Sequence, residues 1–217
     1  MSIVSSNMSF AYPEGDAFAF PGMQVDSGQS LLITGPSGSG KTTLLHILSG
    51  FLPPHDGEVH IAGTSIYQLN ERKRDIFRGK HIGIVFQQHH FVRAISVLDN
   101  VLLAWQSVGE TPDLKLAKEV LDALGLSDKM KSKTQDLSQG EQQRLSIIRG
   151  IVKRPALLLA DEPTSALDDH NAREVASRLI DLSSQYGSAL VVVTHDQRLK
   201  DVFPNELALS NAKTQRQ

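Results

Sequence analysis

"ALLLADEP" delivers two adjacent carboxylates, Asp161 and Glu162, at the end of an apolar run. A strand that ends this way at the mouth of an open parallel sheet places its acids where such folds bind ligands. Asp161 suits a hard cation held through water. Glu162 suits a general base that polarises an attacking water, a role worth roughly 10²–10⁴ in rate. That chemistry needs an electrophile, and "GPSGSGKT", Gly35 to Thr42, supplies a phosphoryl group through its G-x-x-x-x-G-K-[ST] spacing. Gly35, Ser37, Gly38, Ser39 and Gly40 turn backbone N–H groups onto phosphate oxygens, Pro36 completes the same loop without a donor of its own, and the helix that follows adds its positive end. Lys41 bridges the β- and γ-phosphates, and Thr42, with Thr43 beside it, offers a hydroxyl to Mg²⁺.

Other polar residues stand at element ends. His195 closes "VVVTHD", where it reads as a hydrogen-bond partner of the γ-phosphate or of the water held by Glu162, or as a structural strand-end histidine. In "IVFQQ" either Gln87 or Gln88 can sense Mg²⁺ or the attacking water, and spacing does not choose between them. Tyr12 offers a ring for adenine or packs against a sheet. In "LSQGEQQR", residues 137 to 144, Ser138 is an N-cap with Glu141 at capping-box spacing. A cap does not explain Gly140, which leaves the backbone bare for something to approach. A hydroxyl, a bare N–H and a positive helix end together suit an anion. The cradle already surrounds its own phosphates, so this segment has no obvious ligand within its own subunit, and another copy's γ-phosphate would fit.

These residues require a scaffold of alternating elements. "SLLIT" (30–34) reads as a buried strand running into the loop, and Leu44, Leu45, Ile47 and Leu48 have helical spacing up to Gly50. "GEVHIAG" alternates like a strand, and "IGIVF" (82–86) is another buried one. From about 90 to 153 helical periods dominate, as in "LKLAKEVLDALGL". "ALLLADEP" and "SALVVVTHD" then return as strands around the helical "NAREVASRLIDLSSQYG". This alternation predicts an α/β fold with a mainly parallel sheet, one domain over 1–217, and a helical insertion at roughly 90–153.

Composition narrows the function classes. The 217 residues are 40% hydrophobic and 21% charged, enough for one sizeable core, and the net charge of −2 gives no global footprint for nucleic acid. The chain has no cysteine, which removes disulfides, thiol nucleophiles and cysteine metal sites. "PALLLA" and "SALVVVT" are far shorter than the ~18 residues of a membrane span, and the N-terminus lacks signal-peptide character. The expectation is a soluble, cytoplasmic protein that reaches a membrane only through a partner.

The ordered set "GPSGSGKTT", "VFQ", "LSQGEQQR", "LLLADEPTSALD" and "VVVTHD" resembles the ATP-binding subunit of an ABC transporter. The resemblance implies a P-loop NTPase core, a small antiparallel β subdomain and an inserted helical subdomain. It implies ATP and Mg²⁺ as ligands and a head-to-tail homodimer with two ATPs at its interface. It assigns Ser138 and Gly140 to the partner's γ-phosphate, Asp168 of "SALD" to a cross-interface contact, and Tyr12 to adenine. It also selects Gln87 over Gln88 and supports a catalytic role for His195. Gln139 and Glu141 stand where the commonest family version has Gly and Gln, so the Glu141 side chain is expected to point away from the incoming phosphate. "NELALSNAKTQRQ" lacks the family's Asp-Gly turn.

"LNERKRDIFRGKHIGIVFQQHHFVRAISVLDNV" is similar to the subgroup of lipoprotein-release, macrolide-exporter-type and cell-division ATPases. The implied partners are integral membrane permease subunits that contact the region after Gln87, with the ATPase peripheral on the inner face of the cell membrane. His89 and His90 read as part of that contact, because adjacent side chains do not easily chelate one ion. Two other roles share the same site motifs: an ATP-driven regulatory clamp on a membrane partner of an extracytoplasmic enzyme, and the ATPase of a solute importer. A soluble DNA-repair or translation ATPase is disfavoured by the lack of a coiled-coil insertion, a second ATPase half or a basic tail.

Overall fold

The computed structural model describes residues 2–13, 15–165 and 167–210. The chain opens with short strands in which buried residues alternate with partly or fully exposed ones: β1 (Ile3–Ser5), β2 (Met8–Ala11), β3 (Ala17–Phe20) and β4 (Met23–Val25). β5 (Ser30–Thr34) is buried along its length and leads through the phosphate loop into helix α1 (Lys41–Leu48). After β6 (Val59–Ile61) and β7 (Thr64–Ser65), the basic helix α2 (Glu71–His81) runs directly into β8 (Ile82–Val85). Helices α3 (Val97–Gln106), α4 (Leu114–Ala123) and α5 (Gln139–Ile151) then separate β8 from β9 (Leu157–Asp161). The chain finishes with α6 (Asp169–Tyr186), β10 (Ala189–Thr194) and β11 (Glu206–Ala208).

The central sheet has the order β11-β5-β10-β9-β8, and every neighbouring pair in it is parallel. Alternation along its strands divides the interior in two. Leu32, Val85, Leu158, Ala160, Leu190 and Val192 pack with α3 to α6 residues such as Val101, Leu121, Leu145 and Leu179. Ile33, Leu159, Val191 and Val193 pack on the other face against Leu44, Ile47 and Leu48 of α1 and against the antiparallel strands. Both faces are therefore dry, which is why these strands carry no alternating polar residues. The antiparallel part is a four-stranded sheet, β4-β1-β6-β7, with the β2-β3 hairpin beside it.

Helix starts follow the local chemistry. Ser96 with Asp99, and Ser138 with Glu141, form complete capping boxes, and Asp113 and Asp168 cap α4 and α6. Gly187, at φ 68°, closes α6 in the left-handed conformation that glycine adopts without strain. The residue-level reading misses β1 to β4, three- and four-residue strands with little room for a period; β6, equally short, is legible because Gly57 and Gly63 bound it in "GEVHIAG". The last seven residues of "NELALSNAKTQRQ" lie outside the described residues.

Candidate active site

Parallel pairing decides which strand ends meet. Thr34 of β5 stands opposite Thr194 of β10, and Val193 of β10 stands opposite Asp161 of β9. Gly35, Glu162 and His195, which follow these positions, therefore leave the sheet at one edge. At Gly35 a Cβ would lie 2.7 Å from the carbonyl oxygen of Leu209 and 2.7 Å from Ser39 Oγ, so the close turn admits only glycine. Gly40 has φ 88°, and a Cβ there would meet Phe18 Cδ1 at 2.6 Å; the helix start is pressed onto that ring. Lys41 Nζ donates to the carbonyls of Gly35 at 2.8 Å and Pro36 at 3.0 Å, which holds a cation directly against the loop.

A cavity of about 500 Å³ opens over this loop. Ser37, Gly38, Gly40, Lys41, Thr42 and Thr43 line one side; Gln87, Asp161, Glu162 and His195 line the other. Gln88 does not face it. That residue lines a separate cavity of about 570 Å³ with His89, His90 and Phe91, so the backbone after β8 separates the two glutamines. Asn100, fully buried, holds this stretch by donating to the carbonyls of Val92 and Ser96 and accepting from Val92 N–H. His89 stacks on Phe91 at 5.2 Å, and among the described residues no three metal-ligating groups converge.

Thr42 Oγ1 donates to Asp161 Oδ2 at 3.4 Å across the cavity wall. Burial first, and the neighbouring Glu162 charge second, push the Asp161 carboxyl above its ordinary range, against the opposing pull of Thr42 and Lys41. A hydroxyl and one strained carboxylate are hard oxygen donors that fit Mg²⁺, which prefers one or two protein oxygens plus phosphates and water. Gln87, on the same cavity, offers a further oxygen of the same kind.

Glu162 is buried and has φ 48°, a left-handed conformation that costs a non-glycine residue about 1–3 kcal/mol. Its backbone N–H donates to Val193 O at 2.9 Å. Its side chain accepts from Thr194 Oγ1 at 2.6 Å, from His195 N–H at 3.0 Å and from His195 Nδ1 at 2.7 Å. His195 thus engages Glu162 itself, while most of its ring remains exposed.

Tyr12 stands beside the cavity, its hydroxyl 3.2 Å from Thr43 Oγ1 and its ring edge-on to Phe10 and Phe18. Asp16 and Phe18 also line the cavity, and Thr194 lies directly beneath it. Sequence reasoning passed over all three. The alternation in "AFAF" was the one signal available for Phe18.

Ser138, Gly140 and Asp168 are not part of this cavity. Ser138 Oγ accepts from Glu141 N–H at 3.3 Å, and Glu141 Oε2 accepts from Ser138 N–H at 2.7 Å. Glu141 therefore does not point away as expected. The capping box folds it back over the helix start, where Lys129 lies 3.4 Å from it, and the Ser138 hydrogen bonds hold its carboxyl below the usual range. Gly140 has an ordinary helical backbone, and a Cβ on it would meet only Leu167 Cδ2 at 3.8 Å and Arg144 Nη1 at 3.9 Å. Nothing within the described chain demands glycine there.

The family described as ABC transporter matches residues 21–165. The lipoprotein-releasing system ATP-binding protein LolD of Bacteroides fragilis is 38% identical over 182 residues, covering 83% of this chain and 84% of that protein. LolD of Alcanivorax borkumensis is 38% identical over 212 residues, covering 95% and 93%. Among solved structures, a bacterial ABC transporter cassette in dimeric form has a TM-score of 0.83 at 29% identity, covering 99% of this chain and 97% of that one. A dimeric post-hydrolysis state of an ATP-binding cassette, bound to ADP and Pi, has a TM-score of 0.85 at 29% identity over the same shares.

Proposed function

The chain belongs to the ABC transporter family as an ATP-binding subunit, an ATPase, and on that premise we propose that it drives membrane permease subunits in lipoprotein release. The observation that carries the hydrolytic part is the convergence of Lys41, Thr42, Gln87, Asp161, Glu162 and His195 on one cavity. The names of the relatives carry the choice of lipoprotein.

In this reading Gly35 to Thr43 enclose the triphosphate of ATP, and Lys41 exchanges its carbonyl partners for β- and γ-phosphate oxygens. Thr42 and Asp161, with Gln87, would hold Mg²⁺, which offsets phosphate charge when bound. Tyr12 packs on adenine. Glu162 takes a proton from the attacking water, and His195 and Gln87 orient the reacting groups. Ser138 and Gly140 of one copy close on the γ-phosphate held by another, and Asp168 contacts the partner across the same interface. The unexplained glycine at 140 supports this second role. The cavity lined by Gln88, His89, His90 and Phe91 lies in the segment that would receive the permease. Among the described residues no helix is long and apolar enough to cross a membrane, so membrane contact would run through that partner on its cytoplasmic face.

The test is reconstitution of the chain with its co-purifying membrane subunits in vesicles carrying a lipid-anchored protein. ATP-dependent release of that protein, lost with Glu162→Gln, is the expected result. ATP-dependent uptake of a soluble solute, or stimulation of an external enzyme without release, would replace this reading with an importer or a regulatory clamp.

A further inference from the structure

Thr194 is fully buried, and both faces of its hydroxyl are in use. Asp196 N–H donates to Thr194 Oγ1 at 3.0 Å, which leaves the hydroxyl proton directed at Glu162 Oε2, 2.6 Å away. Asp196 is itself fixed by Arg198, whose Nε and Nη2 donate to its carboxylate at 2.8 and 2.7 Å. The other Glu162 oxygen, Oε1, already accepts two hydrogen bonds, from His195 N–H and Nδ1. An ionised carboxylate offers about two lone-pair sites on each oxygen. Oε1 has both filled; Oε2 has one left.

We infer that Thr194 is a positioning residue for Glu162, turning the carboxylate so that Oε2 is the atom that takes the proton of the attacking water. The inference rests on the reading of Glu162 as general base. In the step it serves, a water O–H breaks and its proton goes to Oε2 while the water oxygen bonds to the γ-phosphorus. The bond between the γ-phosphorus and the β–γ bridging oxygen breaks, and its electron pair stays on that oxygen, in ADP. A buried O–H···O⁻ bond is short and strong, and it orients without competition from solvent. Thr194 does not line the cavity, so it shapes the reaction without touching nucleotide.

Thr194→Val removes the hydroxyl and keeps the shape; Thr194→Ser keeps the hydroxyl. The measurement is kcat and KM for ATP hydrolysis by the full chain, normalised to molecules that bind ATP so that unfolded protein does not count. Thr194→Ala is the second variant should Val not fold. The expected result for Val or Ala is a kcat lower by about tenfold or more with KM within about twofold, and recovery in Ser to within about threefold. In a Glu162→Gln background Thr194→Val should add no further loss, because the group it positions is already gone. A Val variant with unchanged kcat, or one that lowers the residual Glu162→Gln rate by its full factor, overturns the inference. Full activity in Glu162→Gln itself would instead overturn the general-base reading.

Discussion

Gln87 and Gln88 are neighbours in the chain, yet Gln87 faces the cavity of Lys41 and Glu162 while Gln88 faces that of His89 and Phe91. Their substitutions should therefore separate. Gln87→Ala should lower steady-state phosphate release by about tenfold or more, as expected for a lost positioning contact. Gln88→Ala should change the basal rate by no more than about twofold. Equal losses would show that the backbone after β8 does not divide the two in solution.

Removing the general base while keeping the side chain's shape should trap ATP. Glu162→Gln should lower turnover by roughly 10²–10⁴. Light scattering at several protein concentrations should then show a monomer becoming a dimer with ATP and Mg²⁺. Adding Ser138→Arg should return the ATP-loaded protein to monomer. A dimer that survives Ser138→Arg would remove "LSQGEQQR" from the interface.

Gly140→Ala is informative because the folded chain has room for it: the new methyl would make only ordinary contacts near 3.8 Å. Alanine in a helical position should leave stability unchanged or raise it by about 0.4–1 kcal/mol. ATP-driven dimerisation should nevertheless weaken at least tenfold, since the methyl stands where the second phosphate must approach. A weaker fold with an unchanged dimer would mean that Gly140 serves the helix alone.

Asp161 links pH to stability through the same strain that suits it to a cation. Burial and the Glu162 charge raise its carboxyl in the folded state. Such a group contributes stability fully below its unfolded pKa and loses it as pH rises through the folded value. Asp161→Asn should accordingly raise the melting temperature of the nucleotide-free protein near neutral pH. The gain should shrink in acid, where the native carboxyl is protonated in both states. The same variant should lose Mg²⁺-dependent hydrolysis, and a melting curve unchanged at all pH values would remove the strain argument.

Much of the site is legible in the residues because its parts are local. A phosphate loop is eight consecutive positions whose glycines are dictated by backbone geometry. A capping box is a spacing of three, and Ser138 with Glu141 forms it as read. The apolar run "ALLLA" ahead of Asp161 and Glu162 reads as a strand covered on both faces, since it carries no polar side chain to meet solvent. What no segment contains is its neighbour. That β10 lies between β5 and β9, bringing His195 and Thr194 to Glu162 from 32 or 33 positions away, follows from the pairing of three strands separated by long helices. The press of Phe18 on Gly40 and the split between Gln87 and Gln88 depend likewise on contacts made across the sheet and around Asn100. The sequence alone determined which chemical groups are present and the local shape of each. The packing of distant strands decided which of them touch, because register and strand order are set by the summed burial of both sheet faces rather than by any residue's own preference.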